Sequence, residues 1–457
     1  MPDFAANTNL DSAASTLVRR SARNGVSGKI DECVRYLCTI EPWFWLVAAY
    51  GFLIPVVALN LPGVGGLGAA DLLMPVGAMV LVFGRRTGKI QLSHIAIAMF
   101  SLVALVSLLQ IDQFKPAVDC AIRWIRLFGI LFPFYFALFI KPTDKVVKTA
   151  FGAWMIGGFT AILIGIFLHV FQIEVRAGQQ RLWMNGASIL RAGGLIGNSG
   201  AFGHMTSTWA VICVTYFAAV SKSRFRMFYI LAVVFFTFYV IYISSSRAAM
   251  LHLLSASAVF IVLFRVPRRF VQWLSLIGVY GALGLALVVC VAQCLPASQS
   301  QGKSNAMETN LKRFLPGYGG GSTSEFTSNR ADNWPEYIAM MNEKILTGWG
   351  YKMGVRLHEE SPDNSYLSVL LETGTLGFVS MSMFVVGVFY RLINRYFAGD
   401  PFACVLIPVC VGQLANCLTS DIYTFWITMP VVFMLLGFVT QRTGDQKPGR
   451  QRWANAA

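Results

Sequence analysis

The chain has 457 residues, of which 56% are hydrophobic and 13% charged, with a mean hydropathy of +0.59. An ordinary soluble domain carries about 25% charged residues, so this composition excludes a water-soluble fold and implies membrane embedding. The net charge of +15 invites a nucleic-acid reading. That reading is excluded by the placement of the bases between apolar segments, which is the signature of membrane orientation.

Residues 1–42 are polar, carry Arg19, Arg20, Arg23, Lys29 and Arg35, and lack the short apolar core of a signal peptide. They are expected to be a cytoplasmic tail. Residues 43–294 then hold nine apolar segments, near 43–60, 67–84, 91–111, 119–140, 149–170, 200–220, 227–243, 248–264 and 270–294. Residues 364–440 hold three more, near 364–390, 401–417 and 420–440, and a second basic tail covers 441–457. The closely spaced pairs 227–243 with 248–264, and 401–417 with 420–440, are also compatible with broken or re-entrant segments. With the N-terminus inside, inner segments hold roughly 23 Lys and Arg and outer ones roughly 12, so both tails are expected in the cytoplasm. Seven of the nine cysteines lie in apolar segments, and their spacing suggests neither disulfides nor zinc.

Two connections on the expected outer face are long. The first, 172–200, contains "RAGGLIGNSGAFG", whose glycines let backbone approach a ligand closely. Arg191 opens it, either beside such a ligand or in a flexible loop. The second, 295–363, begins "PASQSQGKSNAMETN" and ends in "NRADNWPEYIAMMNEKILTGWG". There Trp334, Tyr337, Ile338 and Met341 recur at helical spacing, which predicts a helical cap.

Ionisable residues gather near the same face. Asp119, Arg123 and Arg126 share one helical face at i, i+4 and i+7. An arginine in hydrocarbon faces a cavity or a partner, and Asp119 is one partner within reach. Arg247 lies within "YISSSRAAM" at a helix junction. Serine hydroxyls and free N–H groups could share an anion with its guanidinium there, or it could snorkel to headgroups. His94, His169, His204 and His252 are single histidines in or near spans and are expected to be packed. His358 differs, because Glu359, Glu360 and Asp363 surround it at the mouth of the tenth span. Arginine forks match diphosphate oxygens, and a carboxylate or imidazole can take a proton from an attacking hydroxyl. Together these residue types suit group transfer from a lipid diphosphate.

Four stretches in this order, "RAGGLIGNSGAFG", "SSSRAAML", "NRADNWPEYIAMMNEKILTGWG" and "DNSYLSVLLETGTLG", resemble the O-antigen ligase and O-antigen polymerase family. The resemblance covers roughly residues 185–390. It implies an all-α integral membrane, GT-C-like glycosyltransferase of about twelve transmembrane helices, with a helical periplasmic cap between helices 9 and 10. It also implies metal-independent transfer from an undecaprenyl-diphosphate-linked glycan at the periplasmic face of the bacterial inner membrane, with no cofactor. Carried over residue by residue, Arg191 and Arg247 match arginines near the diphosphate, Arg330 matches the arginine opening the cap helix, and Arg123 and Arg126 join them as candidates. Many family members read His-Asn where this chain reads Asp363-Asn364, so the base is either Asp363 or His358. Asn364 and Tyr366 are expected to position the acceptor sugar, and Glu372 to pair with an arginine or to pack.

The aspartate leans the expectation toward a polymerase that joins lipid-linked repeat units into O-antigen or exopolysaccharide. The closest alternative is a ligase that moves glycan onto lipid A–core. A secondary transporter or lipid-oligosaccharide flippase would also explain intramembrane charge. Membrane lipids are expected partners, chain-length regulator and flippase proteins are candidate ones, and nucleic acid is not.

Overall fold

The computed structural model describes residues 42–56, 58–61, 65–175, 179, 181–184, 187–263, 334–354, 363–420 and 426–442. Residues 1–41 and 443–457 of the two tails, the ninth apolar segment at 270–294, Arg330 and His358 lie outside the described residues.

The described chain is helical apart from two short antiparallel hairpins, β1 Ala58–Leu61 with β2 Gly65–Gly68 and β3 Arg181–Met184 with β4 Ala187–Leu190. The helices are α1 Pro42–Val56, α2 Ala69–Phe83, α3 Leu92–Ser107, α4 Phe114–Leu131, the one-turn α5 Phe136–Phe139, and α6 Asp144–Val170. They continue with α7 Ser199–Ala219, α8 Arg226–Ser244, α9 Arg247–Leu263, α10 Trp334–Glu343, α11 Ser365–Phe397, α12 Pro401–Asn416 and α13 Met429–Gln441.

Five helical stretches are long and apolar enough to cross a membrane: Leu92–Gln110, Phe114–Phe139, Asp144–Val170, Arg226–Ser244 and Ser365–Phe397. Five shorter apolar helices accompany them: Trp43–Val56, Asp71–Val80, Arg247–Leu263, Pro401–Asn416 and Met429–Gln441. Large apolar side chains such as Leu102, Ile156, Phe235 and Val386 point outward from the bundle. A soluble protein would bury such a belt; in lipid it is the expected exterior. The chain is a multi-pass membrane protein.

Helix α7 has the opposite character. Ser199, His204, Thr206, Ser207, Thr208 and Thr215 are all buried on it, so this helix forms the interior of the bundle. Helices α8, α9 and α12 pack around it. Elsewhere small residues permit close approach: a Cβ on Gly157 would come within 2.5 Å of the Phe52 carbonyl, which is how α1 and α6 lie against each other.

Contacts between distant segments sort the helix ends into two groups. At one end Arg442 pairs with both Asp144 and Asp400, Gln91 Nε2 donates to the Thr440 carbonyl, and the Tyr396 hydroxyl donates to the Leu263 carbonyl. Burial holds the Asp400 carboxyl above its ordinary value, an effect that Arg442 beside it offsets only in part. Arg85, Arg86, Lys89, Lys141, Lys145, Arg391 and Arg395 belong to this end. At the opposite end Tyr351 N–H donates to Ser107 Oγ, Ser365 N–H to the Cys417 carbonyl, and His169 Nδ1 lies 2.8 Å from the Leu190 carbonyl. The chain alternates between the two ends from one long helix to the next.

Two expected segments differ in detail. The span expected over 119–140 begins at Phe114 and tightens into a 3-10 turn, Phe132–Tyr135, because Pro133 cannot donate the helical hydrogen bond. The span expected over 364–390 extends to Phe397 and is interrupted at Gly374, whose φ of 65° and ψ of −169° are non-helical.

Candidate functional site

The site is built at the end of the bundle away from Arg442. Its first part is the junction Ser244–Ser245–Ser246 between α8 and α9. Ser245 adopts a left-handed conformation, φ 49°, which turns the chain back on itself. The serines keep the junction's polar groups satisfied inside the protein, as a membrane interior demands. Ser244 Oγ and Ser245 Oγ donate to the Ile241 and Tyr242 carbonyls, each at 3.3 Å, and Ser246 Oγ accepts the Ala249 N–H. The closely spaced segments are therefore two helices joined by a tight polar turn, and Arg247 is the first residue of the second.

Arg191 comes to this junction from the preceding loop. Its Nε and Nη2 donate to the Ser244 carbonyl at 3.1 and 2.7 Å, and Nη2 also donates to the Ser245 carbonyl at 3.1 Å. A guanidinium at the C-terminal end of a helix satisfies orphan carbonyls and complements the helix dipole. The loop is anchored on both sides of it: Gln179 Nε2 donates to the Arg191 carbonyl, and Ala192 N–H to the Ile243 carbonyl. The "RAGGLIGNSG" stretch is therefore ordered, with Asn198 capping α7 through Oδ1 and the Ala201 N–H. Arg191 sets the geometry of the turn that presents Arg247, and the two arginines belong to one local structure.

The second part is the mouth of α11. Asp363 is half-buried and has φ 45°, a left-handed conformation that aspartate tolerates better than most side chains. Asn364 Oδ1 accepts the Tyr366 and Leu367 N–H groups, so this amide caps the helix. Ser365 N–H donates to the Cys417 carbonyl, Ser365 Oγ to the Ser420 carbonyl, and the Tyr366 hydroxyl to the Leu414 carbonyl. These bonds bolt the first turn of α11 to the end of α12. The expected acceptor-positioning residues Asn364 and Tyr366 thus have structural partners as well.

Helix α12 connects the two parts. His204 of α7 lies 2.6 Å from Gln413 Oε1 of α12, and Gln413 Nε2 donates to Thr208 Oγ1. The His204 and His252 rings meet edge to face at 5.9 Å. The two histidines are packed, as expected, in a buried polar cluster beneath the Arg247 turn. On its other side α12 borders a cavity of about 390 Å³, lined by Tyr366, Val369, Phe384, Cys410, Gln413 and Phe433 among others.

The third part lies below the mouth. The segment after α10 inserts into the interruption of α11. Trp349 and Gly350 N–H groups donate to the Leu371 and Glu372 carbonyls at 2.8 and 3.0 Å. Thr375 and Leu376 N–H groups donate to the Ile345 and Leu346 carbonyls at 2.8 and 3.4 Å. The Leu371 and Glu372 carbonyls and the Thr375 and Leu376 N–H groups would otherwise be orphans at the helix break. Lys352 Nζ stands 3.9 Å from Glu372 Oε1, and both residues are buried. The partner expected for Glu372 was an arginine; a lysine occupies that place among the described contacts. In α10, Tyr337 is buried as expected, while Ile338 is 46% exposed, so the inward face is narrower than its apolar spacing suggested.

Arg123 and Arg126 lie on α4, which supplies none of the three parts. Arg123 is exposed. Arg126 Nε lies 3.8 Å from Asp71 Oδ1, near the start of α2, and Asp71 Oδ2 also accepts the Gly68 N–H. Arg126 meets an acid on another helix, across sequence distance that helical periodicity does not reveal. Lys352, Gln413 and Asp71 were the residues that pattern reasoning missed. Gln413, an amide inside an apolar run, was the detectable one.

Residues 231–382 match the family model described as O-antigen ligase. No curated protein matches the chain. The matched stretch begins within α8 and ends within α11, so it takes in the serine turn, Arg247, α10, Asp363 and the interruption at Gly374. Over this stretch, 152 of the chain's 457 residues, the protein is similar to the O-antigen ligase family.

Proposed function

We propose that the protein transfers a glycan from an undecaprenyl-diphosphate carrier to a sugar hydroxyl at the periplasmic surface of the bacterial inner membrane. The match of residues 231–382 to the O-antigen ligase family model supports envelope polysaccharide biosynthesis. The observation that carries the finer reading is the shared location of the Arg247 turn and the Asp363 mouth. Both belong to one end of the bundle and both fall within the matched stretch. The opposite end is rich in Lys and Arg, which supports placing that end, and both tails, in the cytoplasm. With the apolar segment at 270–294 added, the alternation of ends is consistent with twelve crossings and with α10 as part of an outer cap.

In this reading the acceptor hydroxyl attacks the anomeric carbon of the donor. The bond from that carbon to the diphosphate oxygen breaks, and undecaprenyl diphosphate leaves with the electron pair. Asp363 takes the hydroxyl proton, with His358 as the other candidate base. Arg247 offers a planar two-pronged donor to the diphosphate, where charge accumulates. Arg191 holds the turn that aims Arg247 and adds positive charge beside it. Arg330 is proposed to approach from the cap. Arginines neutralise the leaving group in this scheme, which makes the transfer metal-independent.

The leading form of the reaction is polymerisation of lipid-linked repeat units. Ligation onto lipid A–core is the second reading, favoured by the description of the matched family. Proteoliposomes given undecaprenyl-diphosphate-linked repeat units, with or without lipid A–core and in the presence of a chelator, separate them. A ladder of lengthening glycan without lipid A–core supports polymerisation, and product only with lipid A–core supports ligation. No transfer under either condition would overturn the proposal.

A further inference from the structure

Taking the proposed transfer reaction as its premise, we propose that Lys352 and Glu372 are positioning residues that hold the half-helix bearing Asp363 at its working height. Residues 365–373 form a short rod between two fixed points. Its upper end is bolted to α12 through Ser365, Cys417 and Ser420. Its lower end is held by the inserted loop through Leu371 and Glu372. Nine helical residues span about 13 Å, so a shift at the lower end is transmitted along a stiff element to the mouth. Misplacement of a reacting group by about 1 Å can cost about a hundredfold in rate.

The backbone bonds alone satisfy the interruption, so the ion pair is not required for that purpose. Its contribution is register. Gly348, φ 70°, has no room for a Cβ, which would lie 2.5 Å from the Glu372 carbonyl carbon. Lys352 itself takes a left-handed conformation, φ 63°, rare for a lysine and maintained only where the surroundings impose it. Tyr351, buried beside it, is tied to Ser107 of α3. A buried ion pair adds little net stability compared with apolar residues, and setting register is its best-attested use. Here it admits one seating of the loop that leads back from α10, and so couples α10 to the height of Asp363.

The test uses full-length protein in nanodiscs, with Lys352→Gln, Glu372→Gln and the charge-keeping Lys352→Arg. Hydrogen exchange reads the loop directly, through the amides of residues 349, 350, 375 and 376. Either Gln variant should exchange there about tenfold faster or more, while Lys352→Arg stays near wild type. Turnover per folded protein should fall about tenfold or more in the Gln variants, with KM for the lipid-linked donor changing less than about twofold, and Lys352→Arg should restore it. Unchanged exchange, unchanged turnover beside an active wild type, or a loss that appears only in KM would each overturn the inference. A wild type without transfer activity would instead overturn the proposed function, and the exchange measurement would still decide whether the pair seats the loop.

Discussion

Replacing Gly374 by alanine probes the interrupted helix at its most constrained point. Gly374 combines φ 65° with ψ −169°, a region open essentially to glycine, and an L-residue held there costs about 1–3 kcal/mol. Its added Cβ would stand 2.3 Å from the Leu346 oxygen and 2.6 Å from the Thr347 nitrogen. Both are backbone atoms, so the inserted loop must shift. Losing two of the four hydrogen bonds that seat it adds about 1–3 kcal/mol. The sum, about 2–6 kcal/mol, is a large part of the 5–15 kcal/mol typical of a folded domain. Gly387→Ala in the same helix is the control, because its Cβ would meet Ser93 at 3.4 Å, an ordinary contact. The assay is thermal unfolding in nanodiscs, together with amide exchange over residues 345–350 and 371–376. Gly374→Ala should unfold well below wild type and lose protection in both segments, and Gly387→Ala should not. A Gly374→Ala protein with wild-type midpoint and protection would refute the assignment of the loop to the gap.

Arg191→Lys should lose most glycan product while inserting normally, and should also lower stability by about 2–4 kcal/mol, because lysine cannot span the Ser244 and Ser245 carbonyls. Arg247→Lys should lose product with little change in thermal midpoint; wild-type activity in both variants would remove the arginines from the site. Asp363→Asn should slow transfer by about 10²–10⁴, with His358→Ala losing much less, and the reverse ranking in a product assay would move the base to His358. Arg442→Gln should reduce the amount of folded protein recovered from membranes, since it leaves Asp400 buried beside no guanidinium at that place; normal recovery would contradict this. In a cysteine-free background, a cysteine at Ser304 should label from outside intact cells and one at Ser12 should not, and the opposite pattern would invert the proposed orientation.

The helical, membrane-embedded character was legible because hydropathy is a property of local composition. Apolar runs such as 149–170 and 227–243 lie within single helices, Asp144–Val170 and Arg226–Ser244. The junction at Ser244–Arg247 was visible as a short polar interval in apolar sequence, although whether it was a turn or a kink was not. Gly374 was harder. "LETGTLG" contains two glycines, and helices in membranes tolerate glycine, so nothing local marks the first as an interruption and the second as helical. What decides it is a loop that arrives from elsewhere in the chain. The same holds for Arg191. Its charge near an outer junction suggested an anion, but its first partners are backbone carbonyls 53 residues away, and carbonyls leave no trace in side-chain patterns. Arg126 shows the limit of periodicity: the i−7 position offered Asp119, while the ion pair seen at 3.8 Å is with Asp71 on another helix.

The Arg442 knot has a consequence for biogenesis. Asp144, Asp400 and Arg442 join the starts of α6 and α12 to the end of α13, and Arg442 follows Asp144 by 298 residues. During synthesis Asp144 therefore enters the membrane boundary long before its cation exists. Until the last described helix has been translated, that acid has only water, headgroups and the neighbouring Lys145 and Lys148 of its own helix to offset its charge. Closure of the three-residue knot therefore waits for the last described helix. A chain truncated ahead of residue 442 would lack the side chain that joins the starts of α6 and α12.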